Sequence, residues 1–264
     1  MTPLRTPDTV ISVVSHGQGS WFKGLMQDLQ SPKAPRHLVL TLNLPEPQDW
    51  LPGRLDIQVL HNPEPMGFAA NHNQAYKQQA AAFFCVVNPD IRLDQLPFDA
   101  MMACMQDPLV GLVVPTVLSP SGGIEDSVRH FPTPWGIVGK LFGSDNSALP
   151  STVNQVRTVP WAAGMFMLFR AEAFEAVGGF DEGFHLYYED VDICARLWQS
   201  GWHVVHQPSA QVVHHAQRAS RKDWRFFRWH IASMTRFFVK HVWHTRRLER
   251  MAAEAASKDT PEAQ

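Results

Sequence analysis

No Cys-x-x-Cys pair, no long apolar run and no glycine-rich phosphate loop occurs in this sequence of 264 residues, and each absence removes a class of protein. The three cysteines, Cys85, Cys104 and Cys194, form neither an even set nor a ligand spacing. That suggests neither a disulfide framework nor a structural zinc site, and it fits a reducing compartment. Cys85 lies within AAAFFCVV, where a small buried thiol is expected. Nowhere do about eighteen apolar residues follow one another, so no membrane-spanning helix is expected. The start MTPLRTPDTV has no apolar stretch behind a charged head, so no secretory signal is expected. The lack of G-x-G-x-x-G and P-loop motifs weakens dinucleotide-binding and NTPase readings. No internal repeat is present.

What is there is a core-forming composition. Apolar residues make up 45% and charged residues 18%, with a net charge of −2. The charge is unevenly placed. Residues 218–250 hold ten Lys/Arg against two acids, a net of +8, which leaves −10 for the remainder. An acidic body is thus followed by a basic segment. Residues 251–264 are polar and alanine-rich and are expected to be a disordered tail.

Short β-branched or apolar runs at 10–14 (VISVV), 37–42 (HLVLTL), 57–60, 83–87 (FFCVV) and 110–115 read as strands. Helical patterns fall between them, with Trp21, Leu25 and Leu29 at fourfold spacing and an alanine- and glutamine-rich stretch at 69–82. This alternation predicts an α/β fold with a mostly parallel, covered sheet. Ligands of such sheets bind beyond the carboxyl ends of the strands. His16, Asn43 and residues 88–90 fall there. Residues 122–154, rich in Pro and Gly, read as a long loop region. Residues 159–170 read as an apolar strand with an internal glycine, 171–177 as a short helix, 190–200 as an amphipathic helix closed by Gly201, and 203–206 as a strand.

Four segments carry chemistry. Asn88-Pro89-Asp90 ends a buried strand, where Asp90 is placed to hold a divalent cation against a leaving diphosphate. The same three residues are ordinary turn formers. Glu189, Asp190 and Asp192 open a helix behind Tyr187 and Tyr188. Capping accounts for one or two acids, Asp192 among them; a carboxylate at the rim of a sugar pocket serves as general base. His214-His215 follows an apolar run and offers an imidazole to a metal, or is a plain polar feature. In NPEPMGFAANHNQA, Gly67 permits a tight turn, and asparagines including Asn71 suit a base, ribose or phosphate, or merely cap a helix.

Taken together, VISVVSHGQG, NPEPMGFAANHNQA, FFCVVNPDIRL, the long WAAGMFMLFRAEAFEAVGGFDEGFHLYYEDVDICARLWQSGW and VVHHAQRASRKDWRFFRWH come in the order of glycosyltransferase family 2. The chain resembles its bacterial rhamnosyltransferase-like branch from about residue 10 to 240. The resemblance implies a GT-A fold: a Rossmann-like, mostly parallel central sheet with helices on both faces and a C-terminal basic amphipathic helical segment. Residues 1–217 would form the catalytic domain, its nucleotide-binding half about 8–118 and its acceptor half about 119–217. It implies transfer, with inversion, of a sugar such as rhamnose from a nucleotide-sugar donor to a glycan or polyprenyl-diphosphate-linked acceptor in cell-surface glycan assembly.

Asp90 falls on the second acidic position of the family's metal motif, and Asn88 where many relatives carry the first. Asp190 matches the proposed base, with Glu189 beside it, and His214 matches a histidine that helps hold the metal or diphosphate. Ser15 and His16 match the strand end near the nucleotide; Trp161, Gly164 and Tyr188 match the acceptor side. The implied cofactor is Mg2+ or Mn2+. In one departure, residues 42–46 (LNLPE) lack the aspartate that many relatives use for the base or ribose. A catalytically silent nucleotide-sugar-binding or scaffold protein is the alternative reading. A nucleotidyltransferase is a third, since SHGQGS only faintly resembles a phosphate loop.

In the basic segment, Trp224, Phe227, Ile231, Met234 and Phe238 share one helical face. Such a helix reads as lying in an anionic membrane interface, or as docking its stripe on the body with its bases in water. The expected location is cytoplasmic, peripheral to the inner face of the plasma membrane. The acidic body argues against nucleic acid as a partner.

Overall fold

The computed structural model describes residues 8–47, 55–141, 149, 155–215, 224–241 and 244–259. Residues 218–223 and 242–243 of the basic segment lie outside that set, as do 260–264 and most of 142–154.

The strands form where β-branched and aromatic residues run together. β1 (Thr9–Ser15), β2 (His37–Leu42) and β4 (Phe83–Val87) are buried along nearly their whole length, as strands covered on both faces must be. β3 (Asp56–His61) is only partly buried and lies at the edge. β3, β2, β1 and β4 are parallel neighbours in that order. The sheet then turns mixed. β10 (Phe166–Arg170) runs antiparallel between β4 and β6 (Val110–Leu118). β11 (His203–His214) lies parallel to β6. β5 (Ile91–Arg92) and β8 (Arg157–Thr158) pair antiparallel with β11. β7 (Val128–Arg129) and β9 (Trp161–Ala162) make a separate ribbon.

Side chains alternate between two cores, as the strand period of two requires. Ile11, Val13, Phe83, Cys85 and Val87 face α1 (Gly19–Asp28) and α3 (Phe98–Cys104). Val10, Phe84, Val86, Met167 and Phe169 face the other way. There they meet α2 (Phe68–Tyr76), α5 (Ala171–Ala176) and α6 (Glu189–Gln199). The α/β sheet with helices on both faces is therefore as the sequence implied. α4 (Pro134–Leu141) lies within the expected loop region.

Three elements differ from the sequence reading. The strand expected over 159–170 breaks at a turn on Gly164, so its first part joins the ribbon and its second inserts into the main sheet. The helix expected over 69–82 ends at Tyr76, whose ring packs on Phe84 and Phe174 and whose hydroxyl donates to Ala171 O. The tail expected to be disordered is helical as far as Asp259. α7 (Trp224–His241) and α8 (Thr245–Asp259) both pack against α6. Leu248, Ala252 and Ala255 put one apolar row on the body, and Thr158 Oγ1 donates to Ala252 O, 3.1 Å. Short side chains at 252 and 255 let the helix seat closely, a packing gain that composition alone does not reveal.

Candidate active site

β4 ends at Val87, and the turn over 88–90 closes with Ile91 N donating to Asn88 O. β5 then pairs with the end of β11, His214 opposite Ile91, and His215 N donates to Asp90 O, 2.9 Å. This ladder brings the His214 imidazole beside Asp90, with Nε2 3.5 Å from Oδ1. Nδ1 lies 2.9 Å from Glu125 Oε2. Asp90 Oδ1 is buried without a hydrogen-bond partner. Burial alone would lower the His214 pKa, but Asp90 and Glu125 outweigh it and hold it above its ordinary value.

These residues fit a divalent cation. Two ligands, each about 2.1 Å from one small ion, stand no more than about 4.2 Å apart, so 3.5 Å is within reach. The orphaned carboxylate oxygen is the donor such an ion needs. Among the described residues no cluster of three acids, His or Cys is placed to hold a metal by itself. The remaining ligands would be diphosphate and water, the usual arrangement for ions that keep part of their hydration.

The nucleotide-side candidates lie on the same sheet edge, at the carboxyl ends of β1 and β2. Ser15 Oγ accepts from Gln18 N and shapes the turn into α1. Asn43 is only 1% exposed. Its amide oxygen accepts from Met66 N and from Asn62 Nδ2, while its nitrogen donates to Met66 O and approaches the exposed His16 ring. Asn71 donates to Met66 O and Gly67 O and accepts from Asn62. The three amides therefore fix the loop before α2. A Cβ on Gly67 would lie 2.4 Å from His185 O, so only glycine fits. His16, Leu44 and His185 are among the side chains open to solvent at this end. Burial lowers the His16 pKa and His185 adds to this, while Glu46 opposes it.

On the other side, the chain enters α6 through two consecutive left-handed residues, Tyr187 (φ 70) and Tyr188 (φ 65). Among the described non-glycine residues, only these two have positive φ, a strain that clusters at functional sites. Asp190 Oδ2 accepts from Gly164 N, 3.0 Å, and Oδ1 from Val191 N, 2.8 Å. Glu189 is 6% exposed, and its Oε2 is buried with no partner. Burial raises both pKa values. The charge of Asp190 raises Glu189 further, to about 8. The backbone bonds from Val191 and Gly164, and then the field of Arg129, oppose this for Asp190, whose pKa still stays above its ordinary value. Two backbone N–H groups favour the charged form on Asp190, and none reaches Glu189 Oε2.

The two sides meet at Gly164 and Met165. Met165 O accepts from Asn88 N, 2.9 Å, while Gly164 N donates to Asp190. A Cβ on Gly164 would lie 3.3 Å from Phe68 Cζ and 3.6 Å from Asp190 Cβ. The turn over 88–90 and the acid pair therefore flank one two-residue stretch. A cavity of about 740 Å3 opens on the Asp190 side, lined by Tyr188, Glu189, Asp190, Trp161, Arg129 and His230 among others. Trp161 Nε1 donates to His130 O, which fixes the indole at the wall.

Asp192, which the sequence reads as a cap, has another partnership. It is fully buried and lies within 2.8 Å of His241, Arg196 and Lys240, tying α7 to α6. Sequence reasoning also missed Glu125, Phe68 and Arg129. Glu125 and Arg129 come from a segment with no motif of its own, whereas Phe68 lies within NPEPMGFAANHNQA, where polar residues drew the reading.

Residues 85–253 match the sequence pattern described as glycosyl transferase family group 2. N-acetylglucosaminyl-diphospho-decaprenol L-rhamnosyltransferase of Mycobacterium tuberculosis is 32% identical over 148 residues, 52% of this chain and 48% of that protein. Rhamnosyltransferase WbbL of Escherichia coli K12 is 34% identical over 131 residues, 48% of this chain and 50% of that one. The chain thus spans about half the length of these curated relatives. It superposes on GalNAc-T7, solved with UDP, GalNAc and Mn2+, with a TM-score of 0.64 at 14% identity, over 81% of this chain and 44% of that one. The mannosyltransferase PcManGT of Pyrobaculum calidifontis, in complex with GDP-Man and Mn2+, gives 0.60 at 15% identity, over 99% and 77%. At such identities the likeness is one of fold, and the fold is GT-A.

Proposed function

The chain belongs to glycosyl transferase family group 2, in its rhamnosyltransferase-like branch, and from that premise we propose that it is an inverting hexosyltransferase. The proposed donor is a nucleotide-diphosphate sugar, with rhamnose the first to try. The proposed acceptor is a lipid-linked or polysaccharide hydroxyl in cell-surface glycan assembly. The observation that carries this reading is the Gly164–Met165 link, which sets the diphosphate turn and the acid pair on either side of two residues.

On this reading Ser15, His16, Asn43, Gly67 and Asn71 shape the nucleotide end, with Asn43 and Asn71 holding the loop that faces it. Asn88 and Asp90 face the diphosphate. Asp90 and His214 would hold a divalent cation, Mg2+ or Mn2+, which would supply positive charge against the leaving diphosphate. Trp161 and Tyr188 present aromatic walls to the acceptor sugar. Asp190 accepts the proton of the acceptor hydroxyl. The hydroxyl oxygen bonds to the anomeric carbon as the bond to the donor phosphate breaks, and the electron pair leaves with the diphosphate. A single displacement of this kind inverts the anomeric centre. The two backbone N–H groups on Asp190 favour negative charge there rather than on Glu189.

Asp190→Asn is expected to lower turnover by about 10^2- to 10^4-fold with donor binding, read as a thermal shift, unchanged. Near-normal turnover of that variant removes Asp190 from the role. If the wild type releases no nucleoside diphosphate in response to any nucleotide-sugar and acceptor, the silent binding reading replaces the enzymatic one. That reading draws on Asn88, which stands where a second carboxylate is usual.

The membrane surface belongs to the same proposal. Trp224 and Phe227 are 66% and 68% exposed, Ile231 is also exposed, and Met234 of the same row lines the acceptor cavity. An apolar row that starts in solvent and ends at the cavity suits an enzyme working at the inner face of the plasma membrane on a polyprenyl-diphosphate-linked acceptor. No helix among the described residues is long and apolar enough to cross a bilayer.

A further inference from the structure

Glu125 enters neither the family motifs nor the mechanism above, yet its carboxylate meets His214 across 89 positions of sequence, with Oε2 2.9 Å from Nδ1. We propose that Glu125 is a positioning residue that fixes the proton of His214 on Nδ1 and aims Nε2 at a divalent cation shared with Asp90.

A carboxylate facing an imidazole nitrogen at hydrogen-bond distance draws the ring proton to that nitrogen, so Nδ1 donates to Glu125. In the neutral ring, Nε2 is then left as a lone pair. It points at Asp90 Oδ1, 3.5 Å away, a buried oxygen that accepts no hydrogen bond. In that neutral ring two electron-rich atoms face each other, and either a second ring proton or a divalent cation satisfies both; a metal ion therefore enters this gap in place of the proton. Carboxylate–histidine–metal relays of this kind hold the ring tautomer and orientation.

The placement of Glu125 is fixed by backbone rather than by chance contact. After β6 the chain turns back, with Ser119 N donating to Gly123 O, 2.7 Å, and Leu118 bridged to Ile124. Glu125 N then donates to Val117 O, 2.8 Å. Its side chain is 28% exposed, so shortening it opens no hole in the core.

The inference rests on the reading that a cation assists the leaving diphosphate, and one experiment separates the two. Mn2+ is titrated, in the presence of dTDP, into the wild type, Glu125→Ala, Glu125→Gln and His214→Ala, and free Mn2+ is followed by electron paramagnetic resonance. Glu125→Ala is expected to weaken Mn2+ binding by about 10- to 100-fold. Glu125→Gln, which keeps an acceptor but not the charge, is expected to weaken it less, and His214→Ala at least as much as Glu125→Ala. The melting temperature of Glu125→Gln, the variant that keeps the shape of the side chain, is expected to match the parent. Wild-type Mn2+ affinity in Glu125→Ala overturns the positioning role. A wild type that takes up no Mn2+ overturns the cation reading first and the role of Glu125 with it.

Discussion

Glu189 and Asp190 are consecutive residues held in unlike surroundings. Asp190 receives two backbone N–H groups, while Glu189 Oε2 receives none. The pKa of Glu189, raised from 4.5 to about 8, ties stability to pH. A carboxyl whose folded pKa lies above its unfolded value stabilises fully below the unfolded pKa and loses that contribution as pH rises through the folded one. Glu189→Gln, which cannot ionise, is therefore expected to gain on the wild type as pH rises from about 4.5 past about 8. Melting curves at pH 5 and pH 9 check this; a pH-independent difference contradicts it. At this scale the sequence was legible where chemistry and turn signals coincide. Asp90, His214 and Asp190 sit at strand or helix ends, and their residue types state what they can do. Asn43 and Asn71 were visible as polar groups, but sequence does not tell whether an amide meets a ligand or a neighbouring backbone. Glu125 follows a Ser/Gly turn that looks like any surface loop.

Among the elements, the contact between α6 and α7 is the least foreseeable. Periodicity gave α7 its apolar stripe, yet its most buried contacts lie beside that stripe, with Met234 and Phe238 half-buried at the margin. Ser233 donates to Leu186 O, Phe237 is buried, and Arg236 and Lys240 reach Asp181. Two of the bases that make the segment positive are thus taken up inside the molecule. Burial pushes the Asp192 carboxyl up, but His241, Arg196 and Lys240 outweigh it and hold it below its ordinary range. Its contribution is present above pH 3.8 and is lost as pH falls through the depressed folded value. Asp192→Ala leaves three basic groups without their shared partner and is expected to cost about 3 kcal/mol at pH 7, with the gap narrowing toward pH 3. Chemical denaturation at both pH values measures it. The strand at 159–170 was legible as apolar, but its division at Gly164 was not. The break depends on Asp190, 26 residues away, accepting the Gly164 N–H.

For the whole molecule, the acidic body and basic end were plain from charge alone, and βα alternation gave the parallel half of the sheet. The antiparallel insertion of β10 escaped, because period-two patterning carries no strand direction. The exposed row on α7 yields a prediction at this scale. Replacing Trp224, Phe227 and Ile231 together by serine is expected to abolish co-sedimentation with anionic liposomes at low salt. Turnover on a water-soluble acceptor analogue should hold within about threefold, since the three side chains are exposed. A wild type that never sediments, or a triple variant that sediments equally well, removes the membrane from the proposal.

The left-handed pair at Tyr187 and Tyr188 sets natural selection and laboratory selection against each other. Each such residue costs about 1–2 kcal/mol, which a screen for heat resistance would recover by substitution. Tyr187→Asn, tolerant of that backbone, is expected to melt no lower than its parent and to lose turnover several-fold, because the ring that lines the cavity and packs on His230 is gone. A variant that melts lower and works as fast would show the twist to be an accident of the loop. Directed evolution for robustness should therefore leave this dipeptide out of its libraries.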